Sequence, residues 1–184
     1  MLARRYPWLV LASVLVVFVV LLAKPERGSP ALDRPRVSRC PDVRVGLAWY
    51  RARANEWRWR LGVRPIPLPP PPRSCASAAR LAARARARSR GLRREYERWF
   101  SETYAKWRCV HSLEGAWTSN TGNGYRGGLQ FDDTFAASYG PEYVRRWGGA
   151  HRWPVWAQLR AAERAYRTRG WTPWPNTARD CGLL

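Results

Sequence analysis

Apolar positions run without a charged residue from Tyr6 to Ala23, YPWLVLASVLVVFVVLLA. A stretch of that length is able to cross, or nearly cross, the hydrocarbon layer of a membrane as a helix. The pattern after it is spaced rather than continuous. Val43, Leu47, Tyr50, Ala54, Trp57 and Leu61 follow one another in alternating steps of four and three, which puts all six on one face of a helix. Pro41 suits its first turn and Gly62 its end. Residues 76–98 are chiefly Ala, Arg and Leu, good helix formers, with Arg80, Arg84 and Arg88 on one stripe. A further helix is predicted from Arg98 to Leu113, because Phe100, Thr103, Trp107, Val110 and Glu114 share a face. The segment LQFDDTFAASYG opens another, and Pro154 and Gly170 bracket a last one with Trp156, Leu159, Glu163 and Tyr166 along one side. Nothing alternates as a strand does, and there is no internal repeat, so the expected fold class is mainly α.

Charge gives the first segment a direction. Arg4 and Arg5 precede it, and a basic flank favours a cytoplasmic N-terminus, leaving everything after Lys24 on the outer side. Lys24, Pro25 and Glu26 follow without a small-x-small cleavage site. Residues 1–24 are therefore expected to be an uncleaved anchor in the cell membrane, with a signal peptide and a secreted product as the alternative. Residues 25–39, rich in Pro, Arg and Ser, form a linker. Residues 40–97 form a basic helical region, and residues 98–184 a C-terminal domain.

Export accounts for the four cysteines, Cys40, Cys75, Cys109 and Cys181, since an even count in a small extracytoplasmic protein usually means disulfides. His111 and His151 make no zinc-ligand spacing with them, so neither a metal nor a cofactor is expected. One pairing follows from geometry. The prolines of RPIPLPPPPRSC favour an extended chain rising about 3.1 Å per residue, and a helix over residues 41–61 spans about 30 Å, so the connection can run back along the helix and bring Cys75 beside Cys40. Closed in this way, the helical region is expected to lie as a spacer against the C-terminal domain.

The formal charge is +20, unevenly spread: residues 1–98 hold 22 Lys+Arg against 6 Asp+Glu, and residues 99–184 hold 11 against 7. Outside a cell the available polyanions are wall polymers and lipid headgroups, so nucleic acid is not expected as a partner. The arginine stripe is either a solvated helix face or a patch for such anions, and an envelope protein complex is a further candidate partner.

The chemistry-bearing stretch runs from Glu114 to Asp132, EGAWTSNTGNGYRGGLQFD. A carboxyl group at a helix end, facing Trp107 and beside Trp117, is partly withdrawn from water, and a carboxyl so placed keeps a proton that it can donate. Glycosidic cleavage needs such a donor, because the departing sugar oxygen leaves poorly until protonated. Asn, Gln, Thr and Tyr supply neutral hydrogen bonds to sugar hydroxyls, and Trp or Tyr a flat face for the ring. Taken alone, a glutamate at a helix end is ordinarily a solvated or capping residue, and most tryptophans are core. The glycines at 122, 124, 127 and 128 suggest a turn-rich loop, and no GK[ST] follows to make them a phosphate cradle.

The run NTGNGYRGGLQFD, Asn120 to Asp132, closely resembles the segment that marks resuscitation-promoting factor domains, which share the lysozyme-like fold of lytic transglycosylases. In that family a Cys and a catalytic Glu precede the run, and a Trp-Gly-x-Trp-Pro segment with a second Cys closes the domain. Here Cys109 and Glu114 stand before it, and Gly170, Trp171, Trp174, Pro175 and Cys181 after it. The family commonly has Cys directly before Glu and five residues from Glu to Trp; here Cys109 is five residues before Glu114, and Trp117 three after. That spacing resembles a CVHxxEGxW variant of the same group.

The resemblance implies a C-terminal lysozyme-like transglycosylase domain acting on peptidoglycan between N-acetylmuramic acid and N-acetylglucosamine, with Glu114 as the catalytic residue. It implies substrate contacts from Asn120, Thr121, Asn123, Tyr125, Gln130, Asp132, Trp117 and Trp171, and by analogy pairs Cys109 with Cys181. Lytic transglycosylation is preferred over lysozyme-type hydrolysis, for which Asp132 and Asp133 are the nearby second carboxylates. The alternative of another class is a degenerate module that binds the wall without cutting it.

Overall fold

The computed structural model describes residues 39–184, so the apolar run from Tyr6 to Ala23 lies outside the described residues. Among the described residues no helix is long and apolar enough to cross a membrane.

Helix α1, Cys40–Arg60, begins where Asp42 Oδ2 accepts the Arg39 N–H at 3.3 Å, with Pro41 in its first turn. It buries Leu47, Tyr50, Ala54 and Trp57, four of the six positions that spacing placed on one face. The proline-rich connection runs back along α1, held by a ladder of side chains. The Arg58 Nε donates to the Arg64 carbonyl at 2.9 Å, Asn55 Nδ2 to Ile66 at 2.6 Å, Arg51 Nη1 to Pro69 at 2.9 Å, and Arg44 Nη2 to Arg73. Asn55 also accepts the Ile66 N–H at 2.9 Å. A polyproline strand makes no hydrogen bonds of its own, and these side chains supply the donors its carbonyls lack. The ladder ends at Cys75, disulfide-bonded to Cys40 with a Cα–Cα distance of 5.5 Å.

The next element corrects an expectation. Residues 76–98 and 98–113 read as two helices, but α2, Cys75–Glu114, is one helix of 40 residues. No proline interrupts it and Gly91 is accommodated within it. What changes near residue 98 is the partner. The first half buries Ala78, Ala82 and Ser89, and the second buries Thr103 and sets Trp107 and Val110 into the core cluster of the C-terminal helices. A change of buried face without a helix end looks, in sequence, like a new element.

The remaining helices surround the second half of α2: α3, Asp133–Tyr139; α4, Pro141–Trp147; a 3₁₀ turn, Ala150–Arg152; α5, Val155–Arg169; and α6, Pro175–Asp180. α5 runs through the centre, burying Trp156, Leu159 and four alanines. Around it pack Trp107, Leu129, Phe131, Tyr143, Trp153 and Trp174. Trp107 also donates from Nε1 to Glu163 Oε1 at 2.7 Å, which pins α2 to α5, while Lys106 Nζ pairs with the same oxygen at 2.9 Å. The second disulfide, Cys109–Cys181, with a Cα–Cα distance of 5.9 Å, ties α6 and the chain end to α2.

The hairpin of α1 and α2 is packed onto this helical cluster. Trp59 meets Trp156 with ring centroids 5.0 Å apart and Trp147 at 5.6 Å. Arg160 Nε donates to the Arg60 carbonyl at 3.0 Å, one of the carbonyls that a helix end leaves without an internal partner, and its guanidinium lies 3.5 Å from the Trp99 ring centroid. Burial pushes the Arg160 guanidinium down to about 10, still above neutral pH, so the cation needed for both contacts is retained.

Candidate active site

Glu114 is the last residue of α2, and its side chain is half-buried. The Thr177 hydroxyl donates to Glu114 Oε1 at 2.8 Å. That bond leaves Oε2 as the oxygen with no hydrogen-bond partner among the described residues. Thr177 lies in α6, four residues before Cys181, while Cys109 lies five before Glu114. The Cys109–Cys181 disulfide thus clamps the helix carrying the hydroxyl against the helix carrying the acid. The same hydroxyl is 3.4 Å from the Trp174 carbonyl, and its one proton serves one acceptor at a time.

The segment after Glu114 is shaped by two glycines and one glutamine. Arg126 and Phe131 exchange both backbone hydrogen bonds at 2.9 Å, closing a turn around GGLQ. A Cβ on Gly127 would stand 2.5 Å from Gln158 Oε1, and one on Gly128 would stand 2.6 Å from the Trp117 ring and 2.7 Å from His111 Nδ1. Close approach, together with the φ of +79° at Gly127, explains both. Gln158, wholly buried in α5, accepts the Gly128 N–H at 2.8 Å and donates to the carbonyls of Trp117 at 2.9 Å and Trp153 at 3.1 Å. Gly128→Ala is therefore expected to destabilise the fold by about 1–3 kcal/mol, as overpacked sites do. Thermal denaturation against the parent checks this, and an unchanged midpoint would show that the His111 and Trp117 rings yield freely.

At the end of this turn Gln130 takes a φ of +51°, a conformation a non-glycine residue holds only where its surroundings enforce it. Its amide donates to the Gly127 carbonyl at 2.8 Å, and its side chain lines a cleft of about 260 Å³ together with Tyr125, Asp132 and Trp174. The cleft abuts the end of α2, since a side chain on Gly115 would come within 3.8 Å of Gln130 Nε2. Glu114 is not itself among the residues that line the cleft; it is its chain neighbour Gly115 that approaches Gln130.

The residues singled out in the sequence divide accordingly. Tyr125, Gln130 and Asp132 share the cleft. Asn123 accepts the Tyr125 N–H at 3.0 Å and so shapes the turn that presents Tyr125. Asn120 and Thr121 are exposed on the loop outside the cleft lining, Asn120 bridged through its backbone to Arg126. Trp117 is stacked on His111 with centroids 4.0 Å apart, and His111 Nδ1 is 3.0 Å from the Gly128 carbonyl, so these two rings brace the loop. Trp171 is only 9% exposed, packed on Trp107 at 4.8 Å and Tyr166 at 4.7 Å. Its ring faces are taken by the core; the tryptophan that lines the cleft is Trp174, itself 4% exposed and donating from Nε1 to the Leu129 carbonyl at 2.9 Å.

Asp132 accepts the Phe135 N–H at 2.6 Å and caps α3, and Asp133 pairs with Arg126. Thr134, Ser138, Tyr139 and Arg169 line the cleft as well. Thr134 stands near a threonine of the resembled family but out of register with it, so no role is carried to it, and Ser138, Tyr139 and Arg169, from α3 and the far end of α5, were not singled out. Thr177 carried no signal either, being 63 residues from Glu114.

Residues 102–177 match the family model described as a transglycosylase-like domain. The chain is also 39% identical over 69 residues to Resuscitation-promoting factor Rpf1 of Corynebacterium glutamicum, an alignment covering 38% of this chain and 35% of that protein. The matched part is thus about a third of the relative's length.

Proposed function

We propose that this protein, whose residues 102–177 match the transglycosylase-like family model, cleaves the glycan strands of peptidoglycan as a lytic transglycosylase, with Glu114 as acid and then base. The observation that carries the reading is the half-buried carboxyl of Glu114, held through one oxygen by Thr177, on a segment whose next residue, Gly115, approaches Gln130 of a cleft also lined by Tyr125, Asp132 and Trp174. Glu114 Oε2 gives its proton to the glycosidic oxygen as the bond to the muramic acid C1 breaks. The carboxylate then takes the proton of the muramic acid 6-hydroxyl, whose oxygen closes on C1 as a 1,6-anhydro ring, so that no water is consumed.

A lysozyme-type hydrolase needs a second carboxylate to stabilise the cation or activate water. Asp133 is paired with Arg126, while Asp132, which caps α3 through one oxygen, lines the cleft and is the candidate for that role; the ring-closing route is preferred on the resemblance to the family. Mass spectrometry of purified peptidoglycan after incubation with the protein is expected to show anhydromuropeptides. Reducing-end products would turn the assignment to a hydrolase, and no products with wall binding intact would favour the non-catalytic module.

The two disulfides and the relation to a resuscitation-promoting factor support an extracytoplasmic address. Within it, residues 1–24 are the single-pass anchor and residues 40–97 the spacer, an arrangement that flotation of the intact chain with lipid vesicles tests.

A further inference from the structure

Between α1, the proline-rich strap and the first half of α2 lies an open groove of about 290 Å³, at the lower end of the ~300–1,000 Å³ usual for small-molecule sites. Its apolar lining includes Ile66, Leu68 and Leu81. Ile66 and Leu68 are 42% and 51% exposed, large apolar side chains left in contact with water. Four arginines edge it, Arg51 and Arg58 from α1 and Arg84 and Arg88 from α2, and no acidic residue lines it. Arg51 and Arg58 each spend one nitrogen on the strap. Arg84 and Arg88 make no hydrogen bond or ion pair among the described residues.

This combination selects its occupant. A polyanion would need the arginines but not the apolar trough, and an apolar peptide would need the trough but not four cations. We infer that the groove holds an anionic phospholipid of the membrane, its phosphate between the α1 and α2 arginines and part of an acyl chain on Ile66, Leu68 and Leu81. Guanidinium groups suit a phosphate because their fork of N–H donors matches its oxygens. Residues 24–38 separate the apolar run from the first described residue, and at about 3.3–3.6 Å per residue they reach at most some 50 Å. The inference rests on the anchored reading, because only then is the groove held within reach of headgroups.

The test uses the intact chain in nanodiscs of phosphatidylcholine doped with phosphatidylglycerol bearing a photoreactive diazirine in its acyl chain, followed by peptide mapping. Adducts are expected on the strap near Ile66 and Leu68 and on α2 near Leu81. They should fall about tenfold in Arg84→Gln/Arg88→Gln, as the loss of charge-assisted hydrogen bonds implies, and by a similar factor with a phosphatidylcholine probe. Both arginines are exposed, so the variant leaves the packing intact. Adducts confined to residues 6–23, or equal labelling by the neutral probe, would overturn the lipid site while leaving the anchor standing. Failure to enter nanodiscs at all would instead remove the anchor. Capture of the arginines by a soluble phosphodiester polymer, without groove adducts, would assign them to the wall and overturn the inference.

Discussion

Glu114→Gln is expected to lower the release of anhydromuropeptides from peptidoglycan by roughly 10³-fold, within the range that a positioned acid–base group contributes. The amide is nearly the same size as the carboxyl and still offers an oxygen to the Thr177 hydroxyl, so the 2.8 Å contact between α2 and α6 persists. What disappears is the proton at the second position and the carboxylate that would later accept one. Both halves of the proposed cycle fail together, and the variant should bind wall material as the parent does. Comparing product yield with wall binding therefore separates chemistry from folding. Full activity in Glu114→Gln would remove Glu114 from the mechanism, and loss of wall binding along with activity would show that the substitution disturbs the cleft.

Gln158→Leu is expected to be the costliest single change away from the acid, at about 3 kcal/mol or more. Leucine fills much of the same space but offers neither the oxygen that accepts the Gly128 N–H nor the amide that serves the Trp117 and Trp153 carbonyls. Three backbone groups then lose a partner around a site with no exposure at all, and each buried polar group left unpaired costs about 1–3 kcal/mol. For a protein of this size that corresponds to a fall of roughly 10 °C in Tm. Calorimetry with the disulfides intact measures it, and hydrogen exchange at the Gly128 amide should accelerate. A shift of less than about 2 °C would mean that the loop carries its own weight. Activity should fall with stability, because the same turn holds Gln130 and Tyr125 on the cleft.

What the sequence could reveal followed from how local each cause was. Helix α1 and the Cys40–Cys75 bond were legible because both depend on properties of neighbouring residues, the period of a helix and the rise of a proline strand. The glycine-rich run was legible as a motif, and four of its residues, Tyr125, Gln130, Phe131 and Asp132, do meet at the cleft. The continuity of α2 was hidden because the helix changes the surface it packs against while remaining a helix. Thr177 was hidden because packing of α6 on α2, across 63 residues of chain, brings it to Glu114. With twelve tryptophans in the chain, residue type could not separate Trp171, whose faces are filled, from Trp174, which meets the cleft. Gln158 sits in WAQLRAA, where an uncharged polar residue gives no sign that three backbone groups converge on it.

The length of α2 turns the molecule into a measuring device. Its 40 residues rise about 60 Å from Cys75 to Glu114. Because α1 runs alongside and Cys40 is bonded to Cys75, the chain enters the folded body at the end remote from the acid. Within the folded body the entry point and the acid are thus kept a fixed distance apart, set by helical rise. Deleting two turns from the exposed middle of α2, with the matching two turns from α1, would shorten the gauge by about 11 Å without touching a residue of the site.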